Sequence, residues 1–202
     1  MDRDNDVELQ ERETVYQGYF RMDRYRLRHR RHDGSWSRPL QREVLERGHA
    51  VAVLPYDAVR DRVVLIEQFR AGPYAHGGEP WQIEIVAGII DAGETPEAVV
   101  RREAREEAGC VLGPELLRVA SYYMSPGAVS EHMQVFVAAT DSDGLGGVHG
   151  LDEEDEDIKV MVLPAGEAYE MVAAGRIANS PAIIALQWLQ LNPGHATRLR
   201  MG

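Results

Sequence analysis

Three glutamates, Glu103, Glu106 and Glu107, crowd one short stretch of the chain. On an α-helix, residues four apart are neighbours, so Glu103 and Glu107 present carboxylates on successive turns with Glu106 beside them. Uncompensated like charges at that spacing destabilise a helix. A Glu-rich helix is ordinarily a solvated face, and Arg101, Arg102 and Arg105 are at hand to neutralise this one. Two features argue for chemistry instead. Glu103 and Glu107 flank the apolar stripe Val100, Ala104, Ala108 rather than opposing it, and a strand end turned by Gly88 delivers backbone carbonyls beside them. Hard oxygens converging in this way suit Mg²⁺ or Mn²⁺, which take carboxylates, water and phosphates as ligands. A second run of acids, Asp152 to Asp157, follows the glycine-rich GLGGVHG. Charge runs are normally solvated loops.

The elements that must position these groups are legible from periodicity and punctuation. Thr95 followed by Pro96 reads as an N-cap with proline in the first turn, and Gly109 stands where a helix stops, which predicts a helix over Pro96–Ala108. Before it, Val51–Asp57 and Arg62–Phe69 are β-branched runs joined by a short polar link, a hairpin. The loop AGPYAHGGEP leads to a strand over Gln82–Gly88. Upstream, apolar and polar residues alternate from Glu13 to Arg31 and Asp33-Gly34 marks a turn, so two or three N-terminal strands are expected. Further strands are expected at Met133–Thr140 and Ile158–Leu163. Helices are expected near Ala165–Ala174 and from Ser180-Pro181 through IIALQWLQL, with Ser180 as cap and a frayed ending. Strands and helices in this order argue for an α+β sandwich with helices on its faces.

The 202 residues suffice for one domain with appendages, and 44% hydrophobic with 27% charged residues is globular usage. Lys and Arg number 22 against 33 Asp and Glu, a net charge of −11 that opposes binding to nucleic acid. Basic residues concentrate between Arg21 and Arg31. No stretch approaches the roughly 20 apolar residues needed to span a bilayer, and the charged start is unlike a signal peptide. The single cysteine, Cys110, excludes an internal disulfide and a cysteine-only zinc site. These features predict a cytoplasmic protein with no nucleic-acid or membrane partner.

Gly88, Glu94, Arg102-Glu103, Glu106-Glu107 and Gly109 have the spacing of the Nudix box. EVLERGHAVAVLPYD, VVLIEQFR, WQIEIVAG, SPGAVSE, GLDEEDEDIKV and IIALQWLQL extend the likeness from about Thr14 to Leu191. The chain thus resembles the Nudix hydrolases, in their bacterial ADP-ribose pyrophosphatase branch. That resemblance implies an α/β/α sandwich of mixed sheets with an N-terminal antiparallel sheet. It divides the chain into residues 1–48, for dimerisation and adenine contacts, and a hydrolase domain over 49–202. It also implies Mg²⁺- or Mn²⁺-dependent cleavage of ADP-ribose to AMP and ribose 5-phosphate, with two or three ions per site. Another nucleotide sugar such as GDP-mannose, or a non-catalytic ADP-ribose sensor, are the alternatives.

Carried over by the same resemblance, Glu103 and Glu107 are the principal metal ligands with the main-chain carbonyl of Ala87, while Glu106 binds through water and Glu156 is a further ligand. Arg102 orients a neighbouring carboxylate. Glu154 takes the place of the general base, with Glu153 its nearest rival. Ser125, Pro126, Gly127 and Glu131 hold the terminal ribose, although Ala128 and Val129 depart from the family's Gly and Thr. Arg42, Glu43, Arg47, Arg70 and Ile89 match substrate-contacting positions. Tyr19 and Phe20 match aromatics that stack on adenine from a partner subunit, so the resemblance implies a homodimer with an exchanged N-terminal sheet. Read without the resemblance, Tyr19 and Phe20 are strand core, and Ser125–Glu131 is an ordinary Pro-Gly turn. Asp141–Gly144 lacks the ligands of a calcium loop, Gly144–Gly150 misses the dinucleotide fingerprint at His149, and Cys110 is read as packed.

Overall fold

The computed structural model describes residues 3–151 and 155–201, and these divide into two compact units. The smaller takes the chain up to His49 together with Tyr123–His132. After a single turn, α1 (Arg3–Asp6), it contains a three-stranded antiparallel sheet of β1 (Val7–Gln17), β2 (Arg21–His29) and β3 (Leu40–Glu46) in that order. The aromatic–polar alternation becomes strands, but β1 starts six residues before Glu13, and two register shifts bend it against β2. Charge organises this sheet. Asp23 is buried and accepts hydrogen bonds from Arg12, Thr14 and Arg21, while Arg24 and Arg28 pair with Glu43 and Glu8.

The larger unit is built on the alternation in β4 (His49–Asp57) and β5 (Arg62–Phe69). All of β4 after His49 is buried, as are Val63–Ile66 and Gln68 of β5, as expected of strands covered on two faces. Ala52, Leu54, Val63 and Leu65 face one core with α4 (Ala165–Ala173) and α5 (Ser180–Leu191). Val51, Val53, Val64 and Ile66 face the other with α3 (Pro96–Ala108). Helices on both faces of a mixed sheet make an α/β/α sandwich. Its strand order is β10 (Gly147–His149), β11 (Ile158–Pro164), β5, β4, β9 (His132–Ala139), β8 (Leu116–Tyr123), with β4 and β9 parallel.

Several boundaries differ from the sequence reading. The apolar run Gln82–Gly88 is two strands, β6 (Trp81–Glu84) on β5 and β7 (Val86–Ile90) on β4, because the chain changes partner at Ile85. The Gly/Pro loop contains one short helix, α2 (Ala71–His76), closed by left-handed Gly77. The strand β8 is not legible in the sequence, because its half-buried residues alternate only weakly. The cap of α5 is Asn179, whose side chain accepts from the Ala182 N–H and donates to the Ile83 carbonyl, so Ser180 lies inside the helix. The ending is not frayed: α6 (Pro193–Ala196) follows, and Ala196 and Leu199 are buried. No helix among the described residues is long and apolar enough to cross a membrane.

Candidate active site

The helix α3 forms as its punctuation requires. Thr95 accepts a hydrogen bond from the Ala98 N–H, Pro96 opens the first turn, and Gly109 adopts the left-handed conformation at the end. Its apolar stripe, Val99, Val100, Ala104 and Ala108, packs on the sheet, so the flanking acids are drawn down with it. Glu107 is 4% exposed, and its Oε2 accepts the Ala87 N–H at 3.1 Å. Glu103 lies against the backbone of β7 at Gly88. A Cβ at that position would collide with the Glu103 carboxyl and force it to move, so glycine is what lets the carboxyl lie here.

Arg102 spreads over three acids, reaching Glu103 at 2.9 Å, Glu106 at 3.0 Å and Glu94 at 3.6 Å. Glu94 in turn accepts the Asp91 N–H, closing the turn at left-handed Gly93. The other two arginines do not neutralise the acids. Arg101 donates to the carbonyls of Leu112, Gly113 and Pro114, fixing the loop after the helix, and Arg105 is exposed. Cys110 is buried against the Thr140 hydroxyl.

The electrostatics show what the cluster lacks. Burial pushes the Glu103 carboxyl up to about 7; Arg102 opposes the rise and Glu106 adds to it. Burial likewise pushes Glu107 up to about 8, with Glu103 and Glu156 reinforcing the effect and the Ala87 N–H and Arg70 opposing it. Two desolvated carboxylates are thus short of positive charge, a need that a divalent cation meets. Among the described residues no three His, Cys, Asp or Glu side chains cage an ion unaided. The residues fit an ion that takes its remaining oxygens from main chain, water and substrate.

Arg70 donates two hydrogen bonds to Glu84, at 3.0 and 2.7 Å, and its charge is felt by Glu107. Sequence reasoning misses Glu84; its signal is an acid set between the buried Ile83 and Ile85. Ile89 is half-buried in β7. The Glu156 side chain accepts the Leu151 N–H at 3.2 Å. Glu153 and Glu154 lie outside the described residues.

The remaining candidates gather in the smaller unit. Tyr19 and Phe20 sit at the tip between β1 and β2, edge to face at 4.9 Å, with Tyr19 88% exposed. The strand-core reading of this pair is therefore overturned, because the hairpin turns before their side chains can face a core. Arg47 lies over the Phe20 ring and pairs with Glu131 at 3.1 Å, and its buried Nε has no partner among the described residues. Glu131 is buried, while Ser125, Pro126 and Gly127 are exposed on the loop before it. Neighbouring Glu43 pairs with Arg24, and exposed Arg42 donates to the Gln41 carbonyl.

A helix with paired carboxylates thus lies on a mixed sheet whose Gly88 sits against one of them. Residues 46–185 match the NUDIX domain family, and the chain belongs to that family of hydrolases. It is 48% identical over 188 residues to the ADP-ribose pyrophosphatase of Escherichia coli K12, covering 93% of this chain and 90% of that protein. Against the ADP-ribose pyrophosphatase of Haemophilus influenzae it is 41% identical over 191 residues, covering 93% and 87%. Against the GDP-mannose pyrophosphatase of Escherichia coli O1:K1 it is 40% identical over 153 residues, covering 75% and 78%. Its fold is similar to a crystal structure of an ADP compounds hydrolase, with TM-score 0.70, 22% identity and coverage of 96% and 97%. Nudix hydrolases generally use divalent metal ions, typically Mg²⁺.

Proposed function

We propose that this protein hydrolyses the diphosphate bond of ADP-ribose to AMP and ribose 5-phosphate, using Mg²⁺ or Mn²⁺ held by Glu103 and Glu107. The observation that carries the reading is a pair of desolvated carboxylates, half-buried Glu103 against Gly88 and buried Glu107 on the Ala87 N–H, deficient in positive charge. Similarity to two ADP-ribose pyrophosphatases over nine-tenths of the chain favours the substrate. A divalent ion bound there offsets the charge of the diphosphate and of the transition state and supplies an activated water.

The chain's own residues do the rest. Arg102 holds Glu103 and Glu106 in fixed orientations, so the ligand oxygens need not reorganise. Glu103, Glu106, Glu107 and Glu156 carry enough charge for two ions or, with the substrate's diphosphate, three, and would hold them together with the Ala87 carbonyl, Glu106 acting through a water. Arg70, steadied by Glu84, meets a phosphate, and Ile89 lines the substrate's path. Glu154 removes the proton from water. Tyr19 and Phe20 stack on adenine with Arg42, Glu43 and Arg47, whereas Ser125, Pro126, Gly127 and Glu131 hold the terminal ribose. Residues 1–48 thus serve dimerisation and adenine binding, and 49–202 form the hydrolase domain. The partner copy exchanges its N-terminal sheet. A lone, buried thiol suits a reducing cytoplasm.

Incubation with ADP-ribose and Mg²⁺ should release AMP and ribose 5-phosphate in equal amounts. No turnover with either Mg²⁺ or Mn²⁺, together with tight calorimetric binding, would make the protein a sensor. A higher kcat/KM for GDP-mannose would replace the substrate and leave the metal site standing.

A further inference from the structure

We infer that Glu46 is a positioning residue for the sugar end of the substrate, acting through Ser130; this rests on the reading that the Ser125–Glu131 loop holds the terminal ribose. The loop does not stand free. Leu45 and Val129 form an isolated parallel bridge, in which the Leu45 N–H donates to the Ala128 carbonyl at 2.8 Å and the Ser130 N–H donates to the Leu45 carbonyl at 3.2 Å. Side chains continue the stitching in register. The Ser130 hydroxyl donates to Glu46 Oε2 at 2.6 Å and Arg47 donates to Glu131 at 3.1 Å; one residue out of that register, the His132 backbone N–H donates to His49 Nδ1 at 3.3 Å.

The last two residues of β3 and the chain just after its end thus grip the loop position by position. In this row Glu46 reaches back into the sheet, because its Oε1 accepts the Tyr25 hydroxyl of β2 at 3.2 Å. The relay Tyr25–Glu46–Ser130 references the loop to the middle strand, one position before the loop's buried Glu131. A hydrogen bond to a charged acceptor in a partly buried site is stronger and shorter than a neutral one. Losing it lets the loop shift without unfolding, since the backbone bonds of the bridge remain.

The test is a set of variants assayed with ADP-ribose and Mg²⁺. Ser130→Ala should raise KM about tenfold, the worth of one charge-assisted hydrogen bond, and leave kcat within about twofold. Ser130→Thr, which keeps the hydroxyl, should restore KM. Product inhibition separates the two halves of the substrate: ribose 5-phosphate should inhibit Ser130→Ala about tenfold more weakly, with inhibition by AMP unchanged. Glu46→Ala should behave alike, and the Glu46→Ala/Ser130→Ala double variant should be no worse than either single change, since both break one link. An unchanged KM in Ser130→Ala, additive effects in the double variant, or equal weakening of both products would overturn the inference. Absence of turnover by the unaltered protein would instead remove the substrate reading on which it stands.

Discussion

At the level of single residues, Gly88, half-buried Glu103 and buried Glu107 make one device. The glycine is needed for what it lacks, since any side chain would occupy the space of the Glu103 carboxyl. Gly88→Ala should therefore lower kcat/KM about 100-fold, the scale of a small misplacement of catalytic groups, while circular dichroism stays native. The glutamates are a cost to the metal-free protein. Their folded-state pKa values, about 7 and about 8, lie above the ordinary 4.5, so the metal-free fold loses stability as pH rises from 4.5 toward 8. Glu107→Gln removes a charge from the desolvated pair and with it the grip on the cation. At pH 8 the metal-free variant should melt no lower than the unaltered protein. Mg²⁺ at about 100 times its dissociation constant should stabilise the unaltered protein by about 2.7 kcal/mol and Glu107→Gln not at all. Differential scanning fluorimetry with and without Mg²⁺ reads both effects, and an equal shift in the two proteins would contradict this assignment.

Among the elements, legibility followed how local the determining interaction is. The bounds of α3 could be read from Thr95, Pro96 and Gly109 because cap, first turn and stop are each settled within a few residues. The break at Ile85 could not, because apolar residues run through it and only the identity of the partner strand changes. The acids of α3 could be recognised from spacing, whereas Glu84 and Glu46 needed the fold to show what they hold. The same holds for Asp57, the buried acid that ties the β4–β5 turn to the chain after β9. It accepts the Ser142 hydroxyl at 2.7 Å and N–H at 3.1 Å, the N–H groups of Val59 and Arg60, and the Arg60 guanidinium. Burial alone would raise its pKa, but these donors outweigh burial and hold it far below the usual carboxylate range. A depressed folded pKa contributes stability that is present above the unfolded value and lost as pH falls through the folded one. Chemical denaturation should find Asp57→Asn less stable by about 3 kcal/mol at pH 7, since one partner of a buried charged network is lost. Below about pH 4 the difference should shrink; a constant difference across the acid range would mean the carboxylate charge is not what the donors recognise.

For the molecule as a whole, the N-terminal sheet raises the question of what completes it. Across β1, β2 and β3 the fully buried side chain is that of Asp23, not a hydrophobe. Meanwhile Val7, Leu9, Tyr16 and Tyr19 are exposed on β1 and its turn. A small sheet with no hydrophobic face covered is marginal by itself. The chain carries −11 overall, so two copies repel, yet β2 concentrates Arg21, Arg24, Arg26 and Arg28 and relieves that repulsion locally. Because Arg24 and Arg28 already pair with Glu43 and Glu8, the contact between copies should rest on apolar area and change little with salt. Sedimentation at micromolar concentration should give twice the 22.6 kDa of one chain, at low and at several-fold higher salt alike, and Leu9→Asp should shift it toward the single chain. Tyr19→Ala tests whether the same sheet serves adenine: loss of one stacked ring should raise KM about tenfold with the dimer intact. A monomer that keeps full activity would leave the exchanged sheet without a role and return Tyr19 and Phe20 to their own subunit's site.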